Sequence, residues 1–266
     1  MITYRATLDV PQETVWKLSG WLAAHRRALG TRKGRRAATC YRQAVMVLRW
    51  FRDDTRMRML AADAGLALST AYRYLHEGIS VLAAHAPDLH TVLDRARAEG
   101  WSHLDLDGTL IETDRIRAKN DKGNDAWYSG KHKKHGGNVQ VLCDTKGFPV
   151  WISPVEPGST HDITAARTHV LPALYRAAAQ GLPTLADKGY AGAGIGVHTP
   201  VKGSNLDSDT ACRNQLLTAL RAIGERGNAI LKTRWAALQR IRLCPQRIGD
   251  IVAAALVLST LERGNY

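Results

Sequence analysis

The sequence contains few cysteine, aromatic and acidic residues. Its four cysteines form no Cys-x-x-Cys pair, which argues against a zinc knuckle and against a disulfide framework. No apolar run reaches the roughly 18 residues that span a bilayer, and no secretory signal pattern opens the chain. We therefore expect a cytoplasmic protein with reduced thiols and no membrane association.

The acidic residues are outnumbered by basic ones. Lys and Arg number 37 against 24 Asp and Glu, which gives a formal net charge of +13. Such an excess predicts a polyanionic partner, because basic side chains that contact phosphates release counterions. The length of 266 residues allows one large domain, or a small domain joined to a medium one.

Residues 1–96 have the apolar spacing of helices, and we predict an all-α domain there. Within it, a short helix from Arg56 to Ala62, a tight turn at residues 64–66 and a helix over 70–77 capped by Ser69 outline a helix-turn-helix. In such a unit the second helix enters the major groove of double-stranded DNA. The predicted DNA-contacting side chains are those of Ser69, Thr70, Tyr72 and Arg73.

Residues 97–266 have a different pattern, and we predict an α/β domain there. Three strands, at residues 102–111, 138–144 and 148–153, precede a helix over 162–180 and a strand over 184–186. A last short strand over 196–201 and a helical segment over 210–241 follow, with an apolar helix from Ile248 to Leu261. This order is typical of a ribonuclease H-like domain.

Acidic residues occur at the points where this fold places ligands. Alternation along the first strand puts Asp105 and Asp107 on one face, where two carboxylates repel each other unless a cation or proton intervenes. Asp187 ends the strand over 184–186, at the carboxyl edge of the sheet.

A third acid, Glu225, lies on the long helical segment. At 3.6 residues per turn it shares a face with Arg221 and Lys232. Gly224 and Gly227 flank it, and each glycine costs a helix interior about 1 kcal/mol relative to Ala. Close approach of another backbone or of DNA would explain that cost, whereas a surface salt-bridge stripe would not.

Five short motifs now carry a resemblance to a family. They are Asp107-Gly108-Thr109, Tyr128-Ser129-Gly130-Lys131, Pro157-Gly158-Ser159-Thr160-His161-Asp162, Ala186-Asp187-Lys188-Gly189-Tyr190 and Glu225-Arg226. Their order, with 80 residues from 107 to 187 and 38 from 187 to 225, resembles that of DDE-superfamily transposases of bacterial insertion sequences. The nearest likeness is to the insertion-sequence-five group and its Harbinger relatives.

The resemblance implies a transposase that cuts and joins DNA strands. It implies that Asp107, Asp187 and Glu225 are catalytic and hold two Mg²⁺ ions, with Mn²⁺ as a substitute. Arg221, Glu225 and Lys232 are similar to the Tyr-Arg-Glu-Lys signature of related enzymes, although Thr218 stands where that signature has Tyr. The implied partners are the terminal inverted repeats, target DNA and a second copy of the chain in a homodimer, in association with the bacterial nucleoid.

Other residues near these acids are candidates for supporting roles. The basic side chains expected to contact DNA are Lys131, Lys133, Lys134, Lys188, Arg221 and Lys232. We expect Asp105 to lie behind the metal ligands and Asp162 to cap the following helix, with Asp162 and His161 also candidates to support the ligands.

Two alternative functions stay open at this point. Asp105-Leu106-Asp107-Gly108-Thr109 also resembles the opening motif of haloacid-dehalogenase phosphatases, with Asp105 as nucleophile and Asp107 as general acid/base. A transposase-derived DNA-binding protein without catalytic activity is the other alternative.

Overall fold

A computed structural model describes residues 7–264 of the chain, apart from the side chain of Glu225. The first part of it is helical. Its five helices are α1 (Gln12–Ala28), α2 (Cys40–Asp53), α3 (Met57–Asp63), α4 (Leu68–Ala83) and α5 (Leu89–Ala98). Thr39 caps α2 through the backbone N–H of Arg42, and Asp88 caps α5 through that of Thr91.

The turn between α3 and α4 contains Gly65, whose positive φ of 62° suits glycine. The helix after this turn begins earlier than predicted. Its N-cap is Ala67, which offers no side-chain cap, and Ser69 already lies inside the first turn of α4. The prediction that Ser69 caps this helix is therefore wrong, although the short helix, the turn and the second helix are present.

One mixed sheet forms the centre of the second part. Its strands are β1 (Leu104–Glu112), β2 (Tyr128–Ser129), β3 (Lys134–Cys143), β4 (Pro149–Ile152), β5 (Glu156–Pro157), β6 (Thr184–Ala186) and β7 (Val197–His198). β1 pairs antiparallel with β3 on one side and parallel with β6 on the other, and β6 pairs parallel with β7. β2, β4 and β5 all pair with the far edge of β3. This arrangement is consistent with a ribonuclease H-like domain.

The helices of the second part differ from the predicted ones in their bounds. The predicted helix over 162–180 is two helices, α6 (Asp162–His169) and α7 (Leu171–Ala179). Val170 leaves the helical conformation two residues before Pro172, which has no N–H to continue the hydrogen bonds of α6 and lies in the first turn of α7. The long helix α8 (Ser208–Arg234) ends before residue 241, and a 3-10 turn, Ala236–Gln239, follows it. The last helix is α9 (Ile248–Glu262).

Two hydrophobic cores lie on the two faces of the sheet. One contains residues of α1–α4 and α9 together with Val139, Val141 and Cys143 of β3. The other contains Leu104 and Leu106 of β1 with residues of α5, α6 and α7. Packing is thus continuous across residues 96 and 97, and the division into two domains there stays a prediction.

No helix among residues 7–264 is both long and apolar enough to cross a bilayer.

Candidate active site

The central strand β1 separates its apolar from its acidic side chains as the alternation predicts. Leu104 and Leu106 are fully buried in the core beneath the sheet. Asp105 and Asp107 point to the opposite face, where α8 lies: Asp105 meets Gly224, and the Asp107 Oδ2 atom accepts a 2.8 Å hydrogen bond from Asn228 Nδ2. Both carboxylates therefore lie between the sheet and α8.

Asp187 lies directly after β6, where the parallel pairing of Leu106 with Ala186 brings it beside Asp107. Its Oδ1 atom accepts a 2.8 Å hydrogen bond from the Gly189 backbone N–H, which fixes the carboxylate at the start of a short 3-10 turn. Burial raises the pKa of Asp107 to about 6, and the negative charge of Asp187 contributes to this rise. Two of the three predicted ligands are thus neighbours that repel each other.

Asp162 does not cap α6, contrary to the prediction. The N-cap is His161, which is exposed and makes no side-chain cap bond, and Asp162 is the first helical residue. The Asp162 carboxylate instead accepts hydrogen bonds from Asn138 Nδ2 at 2.7 Å and from Lys131 Nζ at 2.8 Å. A Cβ on Gly108 would lie 2.5 Å from Asp162 Oδ1, so glycine next to Asp107 is what admits this third carboxylate.

A buried chain of amides connects Asp162 to the Asp187 turn. Tyr190 Oη donates to Gln140 Oε1 at 2.6 Å, and Gln140 Nε2 donates to Asn138 Oδ1 at 3.1 Å. Asn138 in turn binds Asp162. This network was not predicted from the sequence. The one feature that could have indicated it is the pair of polar residues at alternate positions of an otherwise apolar strand.

The helix α8 contacts β1 through polar residues at helical spacing. Asn228 binds Asp107, while Lys232 Nζ donates to Thr109 Oγ1 at 2.7 Å and to the Leu110 carbonyl at 3.0 Å. The positive charge of Arg221 lowers the pKa of Asp107 against the larger effect of burial. Position 225 falls on this same face by its spacing, but the side chain of Glu225 lies outside the described structure.

Two glycines allow α8 to approach the sheet this closely. A Cβ at Gly224 would lie 2.5 Å from Asp105 Cβ, and one at Gly227 would overlap the Sγ atom of buried Cys143. The cost of two glycines in a helix is therefore explained by contact with the protein's own sheet. This contact sets the height of α8 above Asp107.

We expect Gly227→Ala to destabilise the protein by about 1–3 kcal/mol, because the new methyl overfills the contact with Cys143. Urea denaturation measures this loss. Gly20→Ala is the matched control, since a Cβ at that α1 position meets nothing within 4 Å and should stabilise the helix by up to about 1 kcal/mol. The double variant with Cys143→Ala should lose less stability than the sum of the single variants. Equal stability of Gly227→Ala and Gly20→Ala would contradict the close approach.

Asp105 is the more buried of the two strand carboxylates. It is 4% exposed, and neither carboxylate oxygen has a hydrogen-bond partner among the described residues. Burial raises its pKa to about 7, an effect that the charges of Asp107 and Asp144 reinforce and that of Arg221 opposes. A carboxylate enclosed under Gly224 is poorly placed for nucleophilic attack, and the antiparallel β1–β3 pair does not favour the phosphatase alternative.

The predicted DNA-contacting residues lie at separate places on the surface. Ser69, Tyr72 and Arg73 are exposed on α4, with Thr70 partly exposed beside them, where it accepts a hydrogen bond from Arg73. Lys131, Lys133 and Lys134 are exposed at the start of β3, and Lys188 is exposed next to Asp187. Of these, Lys131 is held at the acidic site by Asp162, and Lys134 pairs with Glu112 at the end of β1.

Among the described side chains, which do not include that of Glu225, no three His, Cys, Asp or Glu groups lie close enough to hold a metal ion. The acidic neighbourhood of Asp107 is defined by charge: Asp187 and Asp162 both act on its pKa, and Asp107 in turn acts on that of Asp105. Its electrostatic character is clear: carboxylates repel one another at the edge of a buried strand, and burial and repulsion together raise the pKa of Asp107.

Comparison with known families identifies the family to which residues 106–260 belong. No curated protein gives a match. The family model described as DDE superfamily endonuclease matches residues 106–260, a stretch that begins just before Asp107 and covers more than half of the chain. It includes Asp107, Asp187 and Glu225, and it supports nuclease activity on DNA. The chain belongs to the DDE superfamily endonucleases.

Proposed function

We propose that this protein is a transposase of a bacterial insertion sequence, of the insertion-sequence-five and Harbinger-like kind. It binds the ends of its mobile element, cleaves a DNA strand there and joins the freed 3′ end to target DNA. The observation that carries the proposal is the adjacency of Asp107 and Asp187 at the carboxyl edge of the sheet in a DDE superfamily endonuclease.

The residues at this edge fit a hard divalent cation. Endonucleases of this superfamily generally use divalent metals, and Mg²⁺ prefers carboxylate oxygens while keeping several of its waters. We assign Asp107, Asp187 and Glu225 as the ligands of two Mg²⁺ ions, with Mn²⁺ able to substitute. When bound, such ions supply activation of a water or 3′ hydroxyl and stabilisation of the leaving oxygen. A cation would also offset the repulsion that raises the pKa of Asp107.

Basic residues near the acidic site are proposed to orient the DNA. Lys131 pairs with the Asp162 carboxylate and is exposed, Lys188 is exposed next to Asp187, and Lys133 is exposed two residues after Lys131. These lysines, with Lys134, Arg221 and Lys232, are proposed to hold phosphates near the cleaved bond. Two of the three N–H groups of Lys232 already bind β1, which leaves one N–H for a phosphate.

Recognition of the element ends is assigned to the α3–α4 unit. Exposed Tyr72 and Arg73, with Ser69 and Thr70, form the face that would contact the major groove. Transposition joins two ends, so a homodimer on DNA is part of the proposal, and the protein would act at the bacterial nucleoid in the cytoplasm.

The test is incubation of the protein with DNA that carries the ends flanking its own gene. With Mg²⁺ we expect nicks that leave 3′ hydroxyls at the element ends, followed by joined products, and neither with chelator nor with scrambled ends. Arg73→Glu should weaken end binding by about a hundredfold, since it reverses a charge at the DNA surface. Arg176→Glu, at an exposed position of α7 outside this unit, is the comparison for general charge effects. Binding of the ends without cleavage would favour the catalytically inactive alternative, and no selective binding would refute end recognition.

A further inference from the structure

No role was predicted for Asn228 from the sequence, yet its side chain contacts Asp107, the first of the proposed catalytic acids. Its Nδ2 atom donates a 2.8 Å hydrogen bond to Asp107 Oδ2. The residue sits one helical turn after position 225 and one turn before Lys232, on the face of α8 that contacts β1. The bond joins residues 121 positions apart and spans the gap between helix and strand.

The oxygen of the same side-chain amide is in an unfavourable environment. Asn228 Oδ1 is buried and has no hydrogen-bond partner among the described residues. A buried carbonyl oxygen without a donor destabilises a fold, because it has lost its hydrogen bonds to water and gained none in the protein. An apolar side chain of similar size would avoid that cost. The position is therefore better explained by the contact with Asp107 than by stability.

We propose that Asn228 is a positioning residue for Asp107. Its N–H binds Oδ2 and limits the rotation of the carboxylate. Oδ1 would then remain available as a ligand for a metal ion of the proposed function, on which this inference rests. Hydrogen bonds to ligating carboxylates act in this way in metal sites, and their removal typically weakens metal affinity about 10- to 100-fold.

The glycines of α8 support this assignment. Gly224 and Gly227 bring the helix so close to Asp105 and Cys143 that a side chain as short as Asn reaches Asp107. Lys232 fixes the same helix one turn further along through Thr109 and the Leu110 carbonyl. Asn228 is thus held from both sides, as a positioning group requires.

The experiment compares Mn²⁺ binding by wild-type protein, Asn228→Leu and Asn214→Leu, followed by the electron paramagnetic resonance signal of free Mn²⁺. Asn214 is the matched control because it lies on the same helix but hydrogen-bonds the Val201 backbone. We expect Asn228→Leu to bind Mn²⁺ about tenfold more weakly, with a melting temperature equal to or above that of wild type. The metal concentration for half-maximal DNA cleavage should rise by the same factor, and Asn214→Leu should change neither.

Unchanged Mn²⁺ affinity in Asn228→Leu would overturn the positioning role while leaving the proposed function intact. Equal weakening in both variants, or a loss of affinity that parallels a fall in melting temperature, would reduce Asn228 to a structural residue. Failure of the wild-type protein itself to bind Mn²⁺ would instead overturn the metal-dependent function, and this inference with it.

Discussion

Asp107→Asn should reduce metal-dependent strand cleavage by at least about a thousandfold, whereas Asp105→Asn should reduce it by no more than about tenfold. A ligand that stabilises the reacting phosphate through a metal ion contributes several kcal/mol to catalysis, and about 4 kcal/mol corresponds to a thousandfold in rate. Asp105 lies under Gly224 and is almost fully buried. Its loss alters the electrostatic surroundings of Asp107 without removing a ligand.

The measurement is single-turnover cleavage of end-bearing DNA with saturating Mg²⁺. Asn is used at both positions because it keeps the volume of the side chain, so both variants should retain the wild-type circular dichroism spectrum and DNA affinity. Equal loss of activity from the two variants would refute the assignment of Asp107 as the ligand and Asp105 as a supporting residue. A larger loss from Asp105→Asn would make Asp105, rather than Asp107, the acid of β1 on which cleavage depends.

The parts of the fold that the sequence predicts well are those fixed by local periodicity. The alternation of Leu104, Asp105, Leu106 and Asp107 correctly places leucines and acids on opposite faces, because a strand has a period of two whatever surrounds it. The strand Thr184–Ala186 is confirmed, and the apolar helix near the C-terminus is found as α9, packed mainly on α4 and β4. Such features need no knowledge of tertiary contacts.

The errors lie where tertiary contacts decide the outcome. Asp162 is a residue type that often caps helices, but its carboxylate instead accepts hydrogen bonds from the amide of Asn138 and the ammonium of Lys131 at the acidic site. Ser69 is likewise a good cap by residue type, yet the helix begins at Leu68. The role of Asn228 could not be predicted from the sequence, because an asparagine on a helix indicates no particular partner until the strand packed against that helix is known. Gly224 and Gly227 did indicate a close approach, and the structure identifies the partner as the sheet.

The acidic residues and the helix α8 above them are held together by close packing and hydrogen bonds. Gly108 leaves room for Asp162 next to Asp107, and Gly224 leaves room for Asp105 beneath α8. The buried Tyr190–Gln140–Asn138 chain then ties Asp162 to the turn that holds Asp187. The result is a cluster in which Lys131 pairs with Asp162, while burial and the charge of Asp187 still raise the pKa of Asp107.

Asp187→Asn should abolish cleavage and joining to the same extent as Asp107→Asn, at least about a thousandfold, while leaving the fold and DNA binding unchanged. The reason is specific to this position. Asp187 accepts the Gly189 N–H through Oδ1, and the amide oxygen of Asn can accept the same bond, so the 3-10 turn should persist. What the variant loses is the negative charge that faces Asp107.

Three measurements separate this loss of charge from misfolding: cleavage of the element ends, affinity for the same DNA, and the binding of Mn²⁺ in its absence. Affinity for DNA should stay within a fewfold of wild type, while Mn²⁺ binding weakens along with activity. Because Asp187 raises the pKa of Asp107, its replacement should also lower that pKa, which a pH titration of the metal-free protein can detect. Cleavage by Asp187→Asn at the wild-type rate would mean that the edge of β6 does not take part in the chemistry, and the adjacency of the two aspartates would then lose its catalytic meaning.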